Sequence, residues 1–162
     1  MLKSWLIEMK VNKKFLHWIP VLIWMSIIFY LSHQPADESS QLSSGISAIL
    51  LNVLSILLPL DLSYFHLLVR KAAHFFAYFI LGLFVFHALR KHKNVTASSR
   101  LWRVAGLAFS ISVLYAISDE LHQLFIPGRS CEIRDVMIDS FGALFGIALY
   151  FLLIYFMTKK KV

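Results

Sequence analysis

Apolar residues fall into four runs that approach or reach the length of a membrane span: Phe15 to Leu31, Ala72 to Leu89, Val104 to Ile126 and Val136 to Met157. A transmembrane helix takes roughly 17–25 predominantly apolar residues, so the pattern predicts an all-α, polytopic helical bundle with spans at about 15–31, 72–89, 104–126 and 136–157. The first run is the shortest. A fifth, Ile46 to Leu60, is interrupted by Asn52 and Pro59 and falls short of a span. It predicts a short amphipathic or re-entrant helix on the outer face, within Ser43 to Leu60. Between the runs, Ser32 to Gln41 (SHQPADESSQ) reads as a polar turn in which Pro35 stops one helix and Ser39 or Ser40 caps the next. Pro127-Gly128 is the turn that breaks the third span, and Arg134 and Asp135 open the fourth.

Composition agrees with this reading. With 59% hydrophobic and 15% charged residues over 162 positions, the chain is not an ordinary soluble domain. The formal net charge is +7, and its placement is informative. Lys3, Lys10, Lys13 and Lys14 precede the first span, Arg90, Lys91, Lys93, Arg100 and Arg103 fill the middle connection, and Lys159, Lys160 and Lys161 close the chain. The positive-inside rule puts those segments, and both termini, in the cytoplasm. Arg70, Lys71, Arg129 and Arg134 then fall outside with every acidic residue except Glu8. The charge therefore reads as a membrane anchor; no basic stripe interleaved with aromatics points to nucleic acid. The amino-terminal run continues to Leu31 without a small-x-small cleavage site, so it reads as a retained signal anchor. The single Cys131 rules out an intramolecular disulfide and a Cys-rich zinc site. No repeat, low-complexity tract or long linker divides the chain, which predicts one domain over 1–162.

The candidate chemistry lies in polar residues set into these runs. Arg70, His74 and Tyr78 recur every four residues and share one helical face. Tyr115, Asp119 and Gln123 share another, with His122 three residues after Asp119, and Asp135, Asp139, Gly142 and Gly146 share a third. All lie near the outer boundary, so three helices aim ionisable groups at one depth. Asp139 is a full turn inside its run, where an aspartate costs about 2.5–3.5 kcal/mol unless it faces protein or water. Arg70 and Lys71 stand at the positive end of their helix dipole, and Asp119 and Glu120 toward the negative end of theirs. Pairing between the two helices would relieve both. Plainer readings stand beside these. Arg70 and Lys71 can snorkel to headgroups, Asp135 can cap its helix, His74 can be an interhelical hydrogen bonder, and Gly142 with Gly146 can serve packing within the monomer. His17, His33, His66, His87 and His92 form no constellation and read as interfacial or solvated.

Three blocks, RKAAHFFAYFILG from Arg70, YAISDELHQLFIPGRS from Tyr115 and RDVMIDSFGALFG from Arg134, with a weaker match in LSHQPADESS from Leu31, resemble the VanZ-like membrane proteins. The resemblance covers most of the chain in the family's order. It implies a multi-pass protein of the bacterial cell membrane, linked through the member that names the family to resistance against the glycopeptide teicoplanin, and it implies no known reaction. The family's polar pattern falls on Arg70, Lys71, His74, Tyr78, Asp119, Glu120, His122, Gln123, Arg129, Asp135 and Asp139. One departure is Ala77, where relatives commonly carry Glu three residues after the histidine of the first block. That weakens any scheme in which a nearby acid tunes His74 as a base.

Three functions fit these residues. In the first, Arg70, Lys71 and Arg129 hold the anionic group of a membrane lipid or lipophilic glycopeptide while the apolar helices accept its chain. In the second, the protein is an enzyme acting on an envelope lipid or lipid-linked wall precursor, with His74 or His122 beside Asp119 as acid or base. The pattern requires no cofactor, although Asp119, Glu120, His122 and Asp139 are suited to a divalent metal. Against catalysis, Ser118, Ser130, Ser140 and Cys131 sit in no nucleophile motif. A proton-coupled transporter ranks last, because nothing charged continues across the middle of the bilayer.

Overall fold

The computed structural model describes residues 13–54, 62–92 and 98–159, and among them every regular element is helical. In chain order these are α1 (Lys13–Leu16), α2 (Ile19–Ser32), α3 (Ala36–Leu54), α4 (Leu62–His92), α5 (Ser98–Gln123) and α6 (Ile133–Lys159). Helices α4, α5 and α6 carry the second, third and fourth apolar runs, and each is long and apolar enough to cross a membrane. The α5 helix stops three residues before the expected Ile126, because the chain turns at Leu124 to Gly128. Gly128 has φ 74, a left-handed conformation that suits glycine, and a Cβ there would press to 3.0 Å from the Cβ of Ala36.

The first run departs from the expected single span. It is interrupted at His17 and Trp18, and α2, with Pro20 in its first turn, has only 14 residues. At 1.5 Å per residue that is about 21 Å, short of a hydrocarbon core of about 30 Å. The chain then bends by 106° into α3. The bundle thus has three membrane-length helices, or up to four if the bent pair α2 and α3 acts as one span. The polar segment after Leu31 is also more helical than its composition suggests. Only residues 33–35 lie outside helices, and α3 begins at Ala36 with Asp37 and Glu38 in its first turn. Carboxylates at that end offset the exposed backbone N–H groups, so the helix starts ahead of the expected caps Ser39 and Ser40. Pro59 lies outside the described residues.

The core is the seam between α4 and α6. Gly142 lies against Phe75 and Gly146 against Phe79, so both residue numbers rise together and the helices run parallel, and Gly82 lies against Ala143 at their crossing. A Cβ at Gly142 or Gly146 would overlap the carbonyl oxygen of Phe75 or Phe79. The small-residue face therefore lets two backbones touch within one chain. Below this clasp Leu81, Val85, Phe86 and Ala88 pack with Leu101, Val104 and Ala108 of α5 and Ile147 and Phe151 of α6, all buried. Outward faces carry exposed Phe76, Trp102, Leu114 and Phe156, the surface a bilayer would cover. The short α2 is tied on by Val21 and Ile28, by the Trp24 indole donating to the Ala77 carbonyl at 2.8 Å, and by the Tyr115 hydroxyl donating to the Met25 carbonyl at 2.6 Å.

Candidate functional site

Above the clasp, each long helix delivers an ionisable side chain to one point. His74 comes from α4, Asp119 and Glu120 from α5, and Asp139 from α6. The parallel seam of α4 and α6 sets His74 beside Asp139, with Nδ1 at 3.4 Å from Oδ1. One potential ligand atom each from His74, Glu120 and Asp139 lies within 4.8 Å of the others. Asp139 is fully buried at 0% exposure, Glu120 at 1% and Asp119 at 4%. Both oxygens of Asp139, Oδ1 of Asp119, Oε1 of Glu120 and the Tyr78 hydroxyl have no hydrogen-bond partner among the described residues. Buried polar atoms are normally paired, because an unpaired one loses its water without replacement. Five such atoms around one point mark a place built to hold something else.

His74, Tyr78 and Asp119 also face a cavity of about 150 Å³. Arg70 and Arg129 line it too, and its apolar lining includes Ile28 and Leu31 of α2 and Leu42 and Ile46 of α3. Ser39, Leu42, Ser43 and Ile46 recur at the spacing of one helical stripe, which is how α3 presents a continuous wall. Arg129 is anchored from the turn after α5. Its Nε donates to the Gln34 carbonyl at 2.9 Å and its Nη2 to the Leu31 carbonyl at 3.2 Å, closing the carboxyl end of α2. Burial and then the Arg70 charge lower the pKa of Arg129, and Asp119 and Glu120 raise it. Arg70 has no hydrogen bond or ion pair with any described residue.

The chain matches the VanZ/LLP1 family over residues 17–155. It belongs to that family. No curated protein and no solved structure matches it. Of the site residues expected from the sequence, Arg70, His74, Tyr78, Asp119 and Arg129 line the cavity, and Glu120 and Asp139 each bring a potential ligand atom close to His74.

Others lie elsewhere. Lys71 pairs with Asp135, and with Glu132 at 3.6 Å, so the cation of α4 is answered by the amino end of α6 instead of by the acidic end of α5. The cause is the seam: α4 and α6 bring like helix ends together, and Asp135 in the first turn of α6 is nearest. Gln123 donates to the Ser32 hydroxyl at 2.8 Å and braces α2. His122 points away from the carboxylates, stacking on Phe29 at 4.6 Å and meeting His33 Nδ1 at 3.1 Å. Three residues beyond Asp119 leaves His122 offset by about 60° around the helix axis, and that offset turns it to the α2 side. His33 therefore has a partner, and so does His87, whose Nδ1 lies 2.6 Å from the Tyr150 hydroxyl.

Sequence reasoning missed Glu132 and the whole α3 wall. The Glu132 backbone N–H donates to Glu120 Oε2 at 3.0 Å, fixing the orientation of that carboxylate. Its only trace in the chain is its place just before the last apolar run. The α3 wall was legible in the 39, 42, 43, 46 spacing, once that segment is recognised as helical.

Proposed function

We propose that this VanZ/LLP1 protein binds the anionic headgroup of an amphiphile, a membrane lipid or a lipophilic glycopeptide, in the cavity between α2, α3 and α4. The observation that carries this reading is that two guanidiniums, Arg70 and Arg129, line one small cavity together with the apolar Ile28, Leu31, Leu42 and Ile46, and that Arg70 has no ion pair among the described residues. A phosphate or carboxylate between them relieves their repulsion and accepts their N–H donors. A volume of about 150 Å³ suits a headgroup, and the chain of the amphiphile would lie along the exposed apolar faces.

The site sits at the outer face of the membrane in this reading. Arg90, Lys91, Arg100, Arg103 and Lys159 gather at the far end of α4, α5 and α6, and the positive-inside rule makes that end cytoplasmic. Binding there would withhold a glycopeptide of the teicoplanin type from its target or shield a lipid-linked wall precursor. The test is Arg70→Gln in a host that depends on the protein for protection. Membrane abundance should be unchanged while protection against a lipophilic glycopeptide, and binding of that compound to protein in micelles, both fall. Full protection and unchanged binding would sink the reading.

A second reading, an enzyme acting on an envelope lipid, draws on His74 beside Asp139 at the cavity wall. Ser118 and Ser140 donate to the Tyr115 and Val136 carbonyls of their own helices, so neither is offered as a nucleophile. Hydrolysis in this reading uses water activated at His74. Conversion of bound lipid by purified protein, lost in His74→Gln, would favour this reading over binding alone.

A further inference from the structure

We propose that His74, Glu120 and Asp139 form a binding site for one divalent transition-metal ion of the Zn²⁺ or Mn²⁺ class, held between the three long helices behind the cavity. The donor set is one imidazole and two carboxylates, each from a different helix, with a ligand atom of each within 4.8 Å of the others. Such a set suits borderline and hard first-row ions and disfavours copper(I), which seeks sulfur. The His74–Asp139 distance is informative. At 3.4 Å it lies beyond a good N–H···O hydrogen bond. Two ligands bound at about 2.1 Å with a tetrahedral angle between them stand about 3.4 Å apart.

An independent observation points to a ligand. Asp139 is completely buried, yet neither of its oxygens has a hydrogen-bond partner, and Glu120 Oε1 beside it has none either. Glu120 is already oriented, because its other oxygen accepts the Glu132 N–H. Two of the neighbouring cations are committed elsewhere, Lys71 to Asp135 and Glu132 and Arg129 to the end of α2, and Arg70 makes no ion pair with either carboxylate. Two buried carboxylates and an imidazole without a cation must take up protons or bind one. With three protein ligands the ion would keep an open coordination position, and His74, one of the three, lines the cavity. This site is argued independently of amphiphile binding, since it uses neither arginine.

The experiment uses the full chain purified in detergent micelles, stripped with a chelator, and offered Zn²⁺ or Mn²⁺. Metal retained after desalting is measured by mass spectrometry, together with the thermal unfolding midpoint. Wild type should retain one ion per chain and unfold at a higher temperature with metal. Asp139→Asn and Glu120→Gln should bind roughly 100-fold more weakly or worse, beyond the 10–100-fold typical of outer-shell changes. His122→Gln and Arg70→Gln should retain the ion. Should Asp139→Asn fail to fold, Co²⁺ in wild type gives a variant-free readout through the visible absorption of a nitrogen- and oxygen-ligated ion. Wild type retaining no more metal than Glu120→Gln would overturn the site while leaving the cavity reading intact. Loss of metal in His122→Gln would overturn it too, by moving the ion to the His33–His122 pair.

Discussion

The same three helices build two interiors that are equally buried and opposite in character. Around Val85, Phe86, Leu101, Ala108 and Phe151 the interior is apolar and close-packed, and the buried Ser112 hydroxyl donates to the Ala108 carbonyl at 3.0 Å. Around His74, Asp119, Glu120 and Asp139 it holds carboxylates at 0–4% exposure with unpaired oxygens. Packing in the first region stabilises the bundle, whereas the second is held at a cost of about 1–3 kcal/mol for each unsatisfied group. A chain that maintains such an interior has a use for it, since apolar residues of similar shape would be as stable or more so. The glycine clasp lies between the two regions and serves both. It lets α4 and α6 approach closely enough for the apolar half to pack, and by the same approach sets His74 against Asp139.

The largest effect is therefore expected at the clasp. Gly146→Leu places a side chain where the Phe79 carbonyl already stands, and backbone cannot move aside as a side-chain tip can. The cost should reach or pass the upper end of the roughly 1–3 kcal/mol of core overpacking. Both halves should fail together, seen as loss of folded protein in membranes and of metal retention in whatever remains. A variant that folds normally but loses only metal would show that the two regions are separable.

A smaller effect tests whether the polar half is paid for locally by its one strong ion pair. Lys71 is about one-third exposed, but its partner Asp135 is 7% exposed, so Lys71→Met leaves a carboxylate nearly buried and unanswered. A loss of about 1–3 kcal/mol is expected, measured as a lower thermal midpoint in micelles. The double variant Lys71→Met, Asp135→Asn should recover most of it, because removing both charges removes the desolvated anion as well. Equal loss in the double variant would mean that Lys71 acts through packing of its aliphatic stem.

Much of this arrangement can be read from residues alone, and the limits have physical causes. Helical spacing suffices to put Arg70, His74 and Tyr78 on one face, since periodicity is local. The Gly142 and Gly146 face is legible for the same reason. Which helix answers a charge is not local: Lys71 finds α6 instead of α5 because the glycines bring that backbone closer, and nothing in the Lys71 neighbourhood encodes it. Polar composition misleads at Ala36 to Gln41, where Asp37 and Glu38 favour a helix start that resembles a loop by hydropathy. Length misleads in the opposite sense at Phe15 to Leu31, an apolar run that a break at His17 and Trp18 divides and that ends just before the chain bends by 106°.

The finest test separates two histidines that look alike along the chain. His74 and His122 both stand in polar blocks, His74 after Arg70 and Lys71 and His122 after Asp119 and Glu120. In space His74 is 17% exposed and within 3.4 Å of a fully buried aspartate, while His122 rests on Phe29 and meets His33. An aromatic contact plus a partly exposed ring–ring hydrogen bond is worth about 1 kcal/mol. His122→Gln should therefore lower the thermal midpoint only slightly and leave metal retention, amphiphile binding and protection at wild-type levels. His74→Gln should abolish metal retention while the apolar half, which it does not touch, keeps the protein folded. The decisive comparison is the pair of variants at matched membrane abundance: equal loss of protection from both would make His122 part of the working site and would redraw the boundary between the polar region that binds and the polar region that only braces α2.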